Sequence, residues 1–167
     1  MRVELIEPKL EEMDFRQRLL ADEATMSYNH AWGGTIDWPR HKWEDWYDYW
    51  VIHHEGKRFY RYLLDEGLGE YVGETAYHFD EERKIHVADI IILAEYRGKG
   101  YGNIGLNLLC DAAREKGVDV LYDDIAIDNP GIVLFIKNGF TEDYRTKEII
   151  MLKKVLYFDE LKMEQVS

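Results

Sequence analysis

Cysteine is almost missing from this 167-residue chain. Cys110 stands alone, so no internal disulfide can form, and a reducing compartment suits it. Proline is scarce, with three residues in all, and no internal repeat, low-complexity tract or linker interrupts the sequence. Long apolar runs are also lacking. The longest aliphatic stretch, Ile90 to Ala94, falls far short of the roughly 20 residues that a membrane helix needs. The segment Met1–Phe15 carries Glu4, Glu7, Glu11, Glu12 and Asp14, and no apolar signal region follows it. These absences predict a soluble cytoplasmic protein with no membrane partner.

Positive charge is in short supply as well. Lys and Arg total 21 against 33 Asp and Glu, a net charge of −12. A nucleic-acid binder needs a basic face to neutralise phosphates, and none is visible. The acidity fits solubility, and would also favour a cationic substrate. Adjacent His53 and His54 point about 100° apart on a helix and make no metal set, so no metal is expected.

What is present is a core. Apolar residues make up 46% and charged residues 32%, enough for one domain over residues 1–167 without staples. Val3–Glu7 alternates as a strand that Pro8 ends, and Met13–Leu20 reads as a helix with Phe15, Leu19 and Leu20 inward. Tyr28–Arg40, with Gly33, Gly34 and Pro39, reads as loop. Trp43, Trp46, Tyr47 and Trp50 then mark one face of a helix over His41–His53. That face reads first as core; the carboxylates Glu44, Asp45 and Asp48 opposite it read as a solvated side.

After Gly56 the period becomes two. Lys57–Leu64, Tyr71–Phe79 and Ile85–Leu93 read as strands joined by hairpin turns. A glycine-rich loop, a helix over Gly102–Lys116, a strand over Val120–Ile127 and a short helix over Gly131–Lys137 follow. Gly139 is placed to cap that short helix, and a last strand spans Glu148–Lys153. The order predicts an α/β (α+β) fold with a mixed, mostly antiparallel central sheet of six to seven strands flanked by helices.

The informative stretch runs Ile90-Ile91-Ile92-Leu93-Ala94-Glu95-Tyr96-Arg97-Gly98-Lys99-Gly100-Tyr101-Gly102, straight into a helix. A buried strand, a glycine loop and a helix N-terminus together present inward N–H groups and a positive dipole end to a phosphate. Three glycines in five residues exceed what a plain turn needs. A P-loop would require Gly-x-x-x-x-Gly-Lys-Ser/Thr, which is absent, and a dinucleotide fingerprint needs its Gly-x-Gly-x-x-Gly after the first strand of a βαβ unit; here antiparallel hairpins precede the glycines, so both fit poorly.

Arg97-x-x-Gly100-x-Gly102, after Glu95-Tyr96 and an aliphatic strand, resembles the pyrophosphate motif of the GNAT superfamily of N-acetyltransferases. Asn129-Pro130 and Leu134-Phe135-Ile136-Lys137-Asn138-Gly139-Phe140 resemble its second signature. The resemblance covers about Lys57–Lys153. It implies a sheet splayed between its fourth and fifth strands with acetyl-CoA in the splay, residues 57–153 as the acyl-CoA core, residues 1–56 as the acceptor side and 154–167 as a tail. It implies backbone contacts to pantetheine from Ile90, Ile91 and Ile92. A pyrophosphate cradle would come from Arg97, Gly98, Lys99, Gly100, Tyr101, Gly102 and Asn103. Asp128 fits the family's spacing for a cofactor-contacting Asn, and Asn129 fits the residue type. Homodimers are common in that family.

The same resemblance implies direct attack of a primary amine on the thioester, with a carboxylate base on the following strand. Asp123 and Asp124 are the candidates. They point to opposite faces, so one of them is expected to see the splay, with Asp124 preferred because Asp123 shares its face with Leu121 and Ile125. The family's proton donor is a Tyr where this chain has Phe135, which cannot protonate sulfur. Tyr122, Tyr96 and Tyr28 are alternative phenols. An acyl-CoA-binding module with little turnover, or a different CoA-dependent transfer, stand as the competing readings.

Overall fold

The computed structural model describes residues 1–157. Strand β1 (Val3–Ile6) precedes helix α1 (Met13–Ala21) and the single turn α2 (Glu23–Met26). The tryptophan segment forms α3 (Trp43–Tyr47), which runs into one π-helical turn over Asp48–Ile52. Strands β2 (Arg58–Asp65), β3 (Glu70–Asp80) and β4 (Ile85–Ile92) follow as antiparallel neighbours. Helix α4 (Tyr101–Glu115) then crosses over to β5 (Val120–Ala126). Helix α5 (Gly131–Lys137) and strands β6 (Thr141–Arg145) and β7 (Ile149–Val155) complete the described chain. The sheet has seven strands in the order β1-β2-β3-β4-β5-β7-β6, and the β4–β5 pair is parallel. None of the described helices is long and apolar enough to cross a membrane.

Period-two burial explains the two layers. Phe59, Tyr77, Ala88, Leu121 and Ile125 leave one face of the sheet and pack with Leu106 and Leu109 of α4 and Phe135 of α5. Tyr60, Tyr62, Ala76 and Ile91 leave the other face and pack with Met13, Leu19, Trp38 and Trp43. Helix α4 lies close on the sheet because Gly105 has no side chain: a Cβ there would meet Leu63 Cδ2 at 2.4 Å and Ile90 Cδ1 at 2.9 Å.

The feature that positions the site is a parting of the sheet. Strands β4 and β5 share the rungs His86↔Leu121 and Val87↔Tyr122 and then separate, while β4 stays paired with β3 up to Ile92 and β5 with β7 up to Ala126. Two elements depart from the sequence expectation. Strand β6 (Thr-Glu-Asp-Tyr-Arg) was not expected, because all five residues are exposed and show no alternation; pairing with β7 alone makes it a strand. A 3-10 helix over Ser27–Trp32 takes up the start of the expected Tyr28–Arg40 loop, and Gly33 ends it at φ +103°. Strand β7 extends to Val155, past the expected start of the tail, and residues 158–167 of that tail lie outside the described residues.

Candidate active site

The parting opens a cleft of about 700 Å³, lined from both sheet halves and both helical layers. Its far end is the glycine loop. Gly98 and Gly100 have φ of +74° and +96°, a region that costs a side-chain-bearing residue strain. Gly100 is the N-cap of α4, so the unpaired N–H groups of the first helical turn open on the cleft with the positive end of a 15-residue helix dipole. Gly102 lies against α5, where a Cβ would come within 3.0 Å of Leu134 Cδ2. Polar side chains fix this spacing: Asn138 Nδ2 donates to Asn103 Oδ1 at 2.6 Å, and Asn107 Nδ2 donates to Asn138 Oδ1 at 2.9 Å. Such a cradle fits an elongated phosphate-bearing ligand.

The edge of β4 supplies backbone groups. Leu93 donates its N–H to Val72 of β3 at 2.9 Å, so strand alternation turns the N–H groups of Ile90 and Ile92 the other way, into the gap. Ile90 and Ile92 line the cleft; Ile91 is buried in the opposite core. Arg97 also lines it, but its guanidinium donates to the carbonyls of Ala24 (3.1 Å) and Thr25 (2.5 Å) and lies 5.2 Å from the Tyr28 ring centre. It therefore ties the segment after α1 to the glycine loop. Backbone and side chain divide at Tyr101, whose hydroxyl is buried on Asp65. Lys99 is exposed over the Tyr96 ring and does not line the cleft.

At the start of α5, Asn129 lines the cleft and its Oδ1 accepts the Gly131 N–H at 2.8 Å, an Asx cap for the helix. Asp128 instead pairs with His30 at 3.2 Å, outside the lining. Phe135 lines the cleft on α5 and is only 3% exposed; its burial contributes on the order of 1.5–3 kcal/mol, so it serves the core as well. Gly139 caps α5 at φ +90°, as expected, with Phe140 N–H on Phe135 C=O at 3.1 Å.

Both Asp123 and Asp124 line the cleft, although the pleat sends them to opposite faces. A gap in the plane of a sheet is open to both faces, so the expectation that one of them alone would see it does not hold. Asp124 sits at the rim and pairs with Arg83 at 3.4 Å, which also holds Asp80 at 2.8 Å. Asp123 is deep, and its carboxyl is pushed well above the usual range, first by burial and then by the charge of Asp89.

Asp89 of β4 is the residue that the sequence reading passed over. It lies across the cleft, exposed to solvent through the open gap, yet the protein packed around it raises its carboxyl to about 6; Glu74 adds to the rise and Arg16 opposes it. Register puts Glu74 opposite Ile91 and Asp89 opposite Ala76, so Asp89 and Glu74 are diagonal neighbours on one face. Glu74 accepts the Tyr60 hydroxyl, and its Oε2 is 3.8 Å from Arg16 Nε. Arg16 in turn lies 4.2 Å from the Trp46 and 4.7 Å from the Trp38 ring centres. Tyr28 lines the same cleft, its phenol held neutral first by burial and then by Asp89; Tyr96 lines it too, and Tyr122 does not. The signal for Asp89 was available: a lone acid inside the apolar strand Val87-Ala88-Asp89-Ile90-Ile91.

The splayed mixed sheet thus carries a glycine cradle at one end of the cleft and carboxyls at the parting. The model of the acetyltransferase (GNAT) family matches residues 18–140, and the chain belongs to that family; it is an acyltransferase. The fold agrees with solved structures. A spermidine N-acetyltransferase from Vibrio cholerae, in complex with CoA and spermine, is similar at TM-score 0.77 and 19% identity over 92% of this chain and 95% of that one. An N-acetyltransferase from Staphylococcus aureus Mu50 is similar at 0.74 and 16% (94% and 100%), and the GNAT domain of S. lividans PAT at 0.74 and 13% (93% and 90%). No curated protein matches the sequence.

Proposed function

We propose that the chain transfers the acetyl group of acetyl-CoA to a primary amine by direct attack, working as one domain in which residues 1–56 build the acceptor side and 57–153 the acyl-CoA core. The observation that carries this is Asp89, a carboxyl near pH 6 in a cleft that leads from the glycine cradle to the parting of the strands. A general base works best when its pKa lies near the working pH, because it is then ionised yet still basic enough to take a proton. Asp89 takes a proton from the incoming ammonium, and the neutral amine attacks the acetyl carbon. The N–H groups of Ile90 and Ile92 face the gap and are the donors for the oxyanion. The first turn of α4 would hold the pyrophosphate.

The acceptor is a cationic amine. Asp89, Asp123 and Asp124 line the cleft, Glu74 lies behind Asp89, and the net charge of −12 draws cations towards it. The similar fold of a spermidine N-acetyltransferase that holds CoA and spermine lends this class weight. Asp124, engaged by Arg83, is a weaker choice for the base than Asp89. Buried Phe135 favours the competing reading of a binding module with little turnover. One experiment separates the two. Acetyl-CoA should raise the melting temperature as ligand excess grows, and a panel of polyamines and other primary amines should release free thiol from it. A clear thermal shift with no thiol released by any amine would make the chain a binding module.

A further inference from the structure

We propose that Asp123 is the general acid of this reaction, standing in for the phenol that Phe135 cannot supply. The inference rests on the acetyl-transfer reading above and adds the fate of the sulfur. Asp123 follows Tyr122, the last β5 residue paired with β4, so it is the first β5 residue inside the parting. Its side chain leaves β5 on the same face as Leu121 and Ile125, which pack in one cluster with Phe135. That is the face of α5, where a tyrosine at position 135 would have put its hydroxyl. Asp89 lies one strand away and emerges on the opposite face, with Ile91. The cleft thus holds two carboxyls on opposite sides of one gap, one towards the acceptor layer and one towards α5.

Charge decides their roles. The groups facing Asp123 are Asp89 from β4, Asp124 on its own strand, Arg83 from the β3–β4 turn, and Lys137 of α5 and the Tyr28 phenol elsewhere on the lining. Arg83 is already held by Asp80 and Asp124. Two carboxylates facing one gap do not both ionise readily, so the deeper, half-buried one keeps its proton, in line with the upward displacement of Asp123. Unequal environments of this kind divide like residues into a base and an acid.

The protons balance. Asp89 takes the first proton from the ammonium and later passes it to solvent. As the C–S bond breaks, the electron pair goes to sulfur and the Asp123 O–H protonates it, giving free thiol and the Asp123 carboxylate. The second nitrogen proton, lost as the amide forms, returns to that carboxylate through cleft water.

The test joins a spectroscopic and a kinetic arm. Infrared difference spectra between pH 5 and pH 9 should show a carboxylic-acid C=O band in wild type at neutral pH that Asp123→Asn removes. Asp123→Asn should lower kcat by about 10²-fold, the lower end of what general acids supply. It should leave the acetyl-CoA dissociation constant within about twofold and abolish the alkaline limb of the kcat–pH profile. Adding Phe135→Tyr to Asp123→Asn should recover about tenfold of the loss, whereas Phe135→Tyr in wild type should change little. An active wild type whose Asp123→Asn variant keeps kcat and the alkaline limb, or whose neutral spectrum lacks the Asp123 band, overturns the acid role alone. A wild type inert towards every amine overturns the transfer reading, and the acid role falls with it.

Discussion

The two lips of the cleft carry the same side chain in different states. On the β4 lip Asp89 is near 6, bordered by Glu74, Arg16 and Tyr28. On the β5 lip the Asp123 carboxyl is also raised, first by burial and then by the charge of Asp89, while its neighbour Asp124 is tied to Arg83 at the rim. Three aspartates on one gap differ because depth and partners differ, not because of residue type. The β4 lip is thus suited to take a proton, the deep β5 position to keep one, and the rim position to hold the β3–β4 turn.

The sharpest way to break this comparison is to neutralise the lips one at a time. Asp89→Asn should lower kcat by about 10²–10⁴-fold and remove the acid limb near pH 6, with the acetyl-CoA thermal shift kept. Asp124→Asn should stay within a few-fold of wild type. The reverse ranking, read from initial rates with any active amine, would move the base to Asp124.

A smaller effect is expected behind the β4 lip. Arg16 is mostly buried, and its Nε and Nη1 have no hydrogen-bond partner among the described residues, so ring stacking and the nearby Glu74 charge hold it. Arg16→Met leaves Glu74 as a buried charge without its cation and should cost about 3–5 kcal/mol by denaturant titration. Because Arg16 lowers the Asp89 pKa, its loss should also move the acid limb to higher pH. A stability loss with an unmoved limb would mean that Arg16 serves packing only.

The smallest effect tests the β5 lip without catalysis. The folded pKa of Asp123 lies above its ordinary value of 3.8, so folding takes up a proton there. That contribution is fully present below pH 3.8 and is lost as pH rises through the folded value. Asp123→Asn carries no such loss. Its melting temperature should therefore gain on wild type as the pH is raised above about 4. Parallel curves would put Asp123 in a solvated setting.

Local pattern went a long way here. Alternation marked β2, β3 and β4, and glycines with aliphatic flanks marked the cradle before α4, because period and turn chemistry are written in neighbouring residues. Gly139 was placed by the same means, whereas Asn129 and Phe135 were singled out by the resemblance to the family's second signature. The exposed strand β6 was not legible, since it owes its conformation to β7 alone. Nor could the sequence tell that Arg97 would brace α2. By itself the sequence determined the order of elements, the glycine cradle, the missing phenol at position 135 and the acidic character of the whole. Only the tertiary structure decided which acids share the gap and in what protonation state. A carboxyl's pKa depends on the burial and charges around it, and those come from Glu74, Asp89, Arg83 and Asp123, residues on separate elements that meet only when the sheet forms and parts.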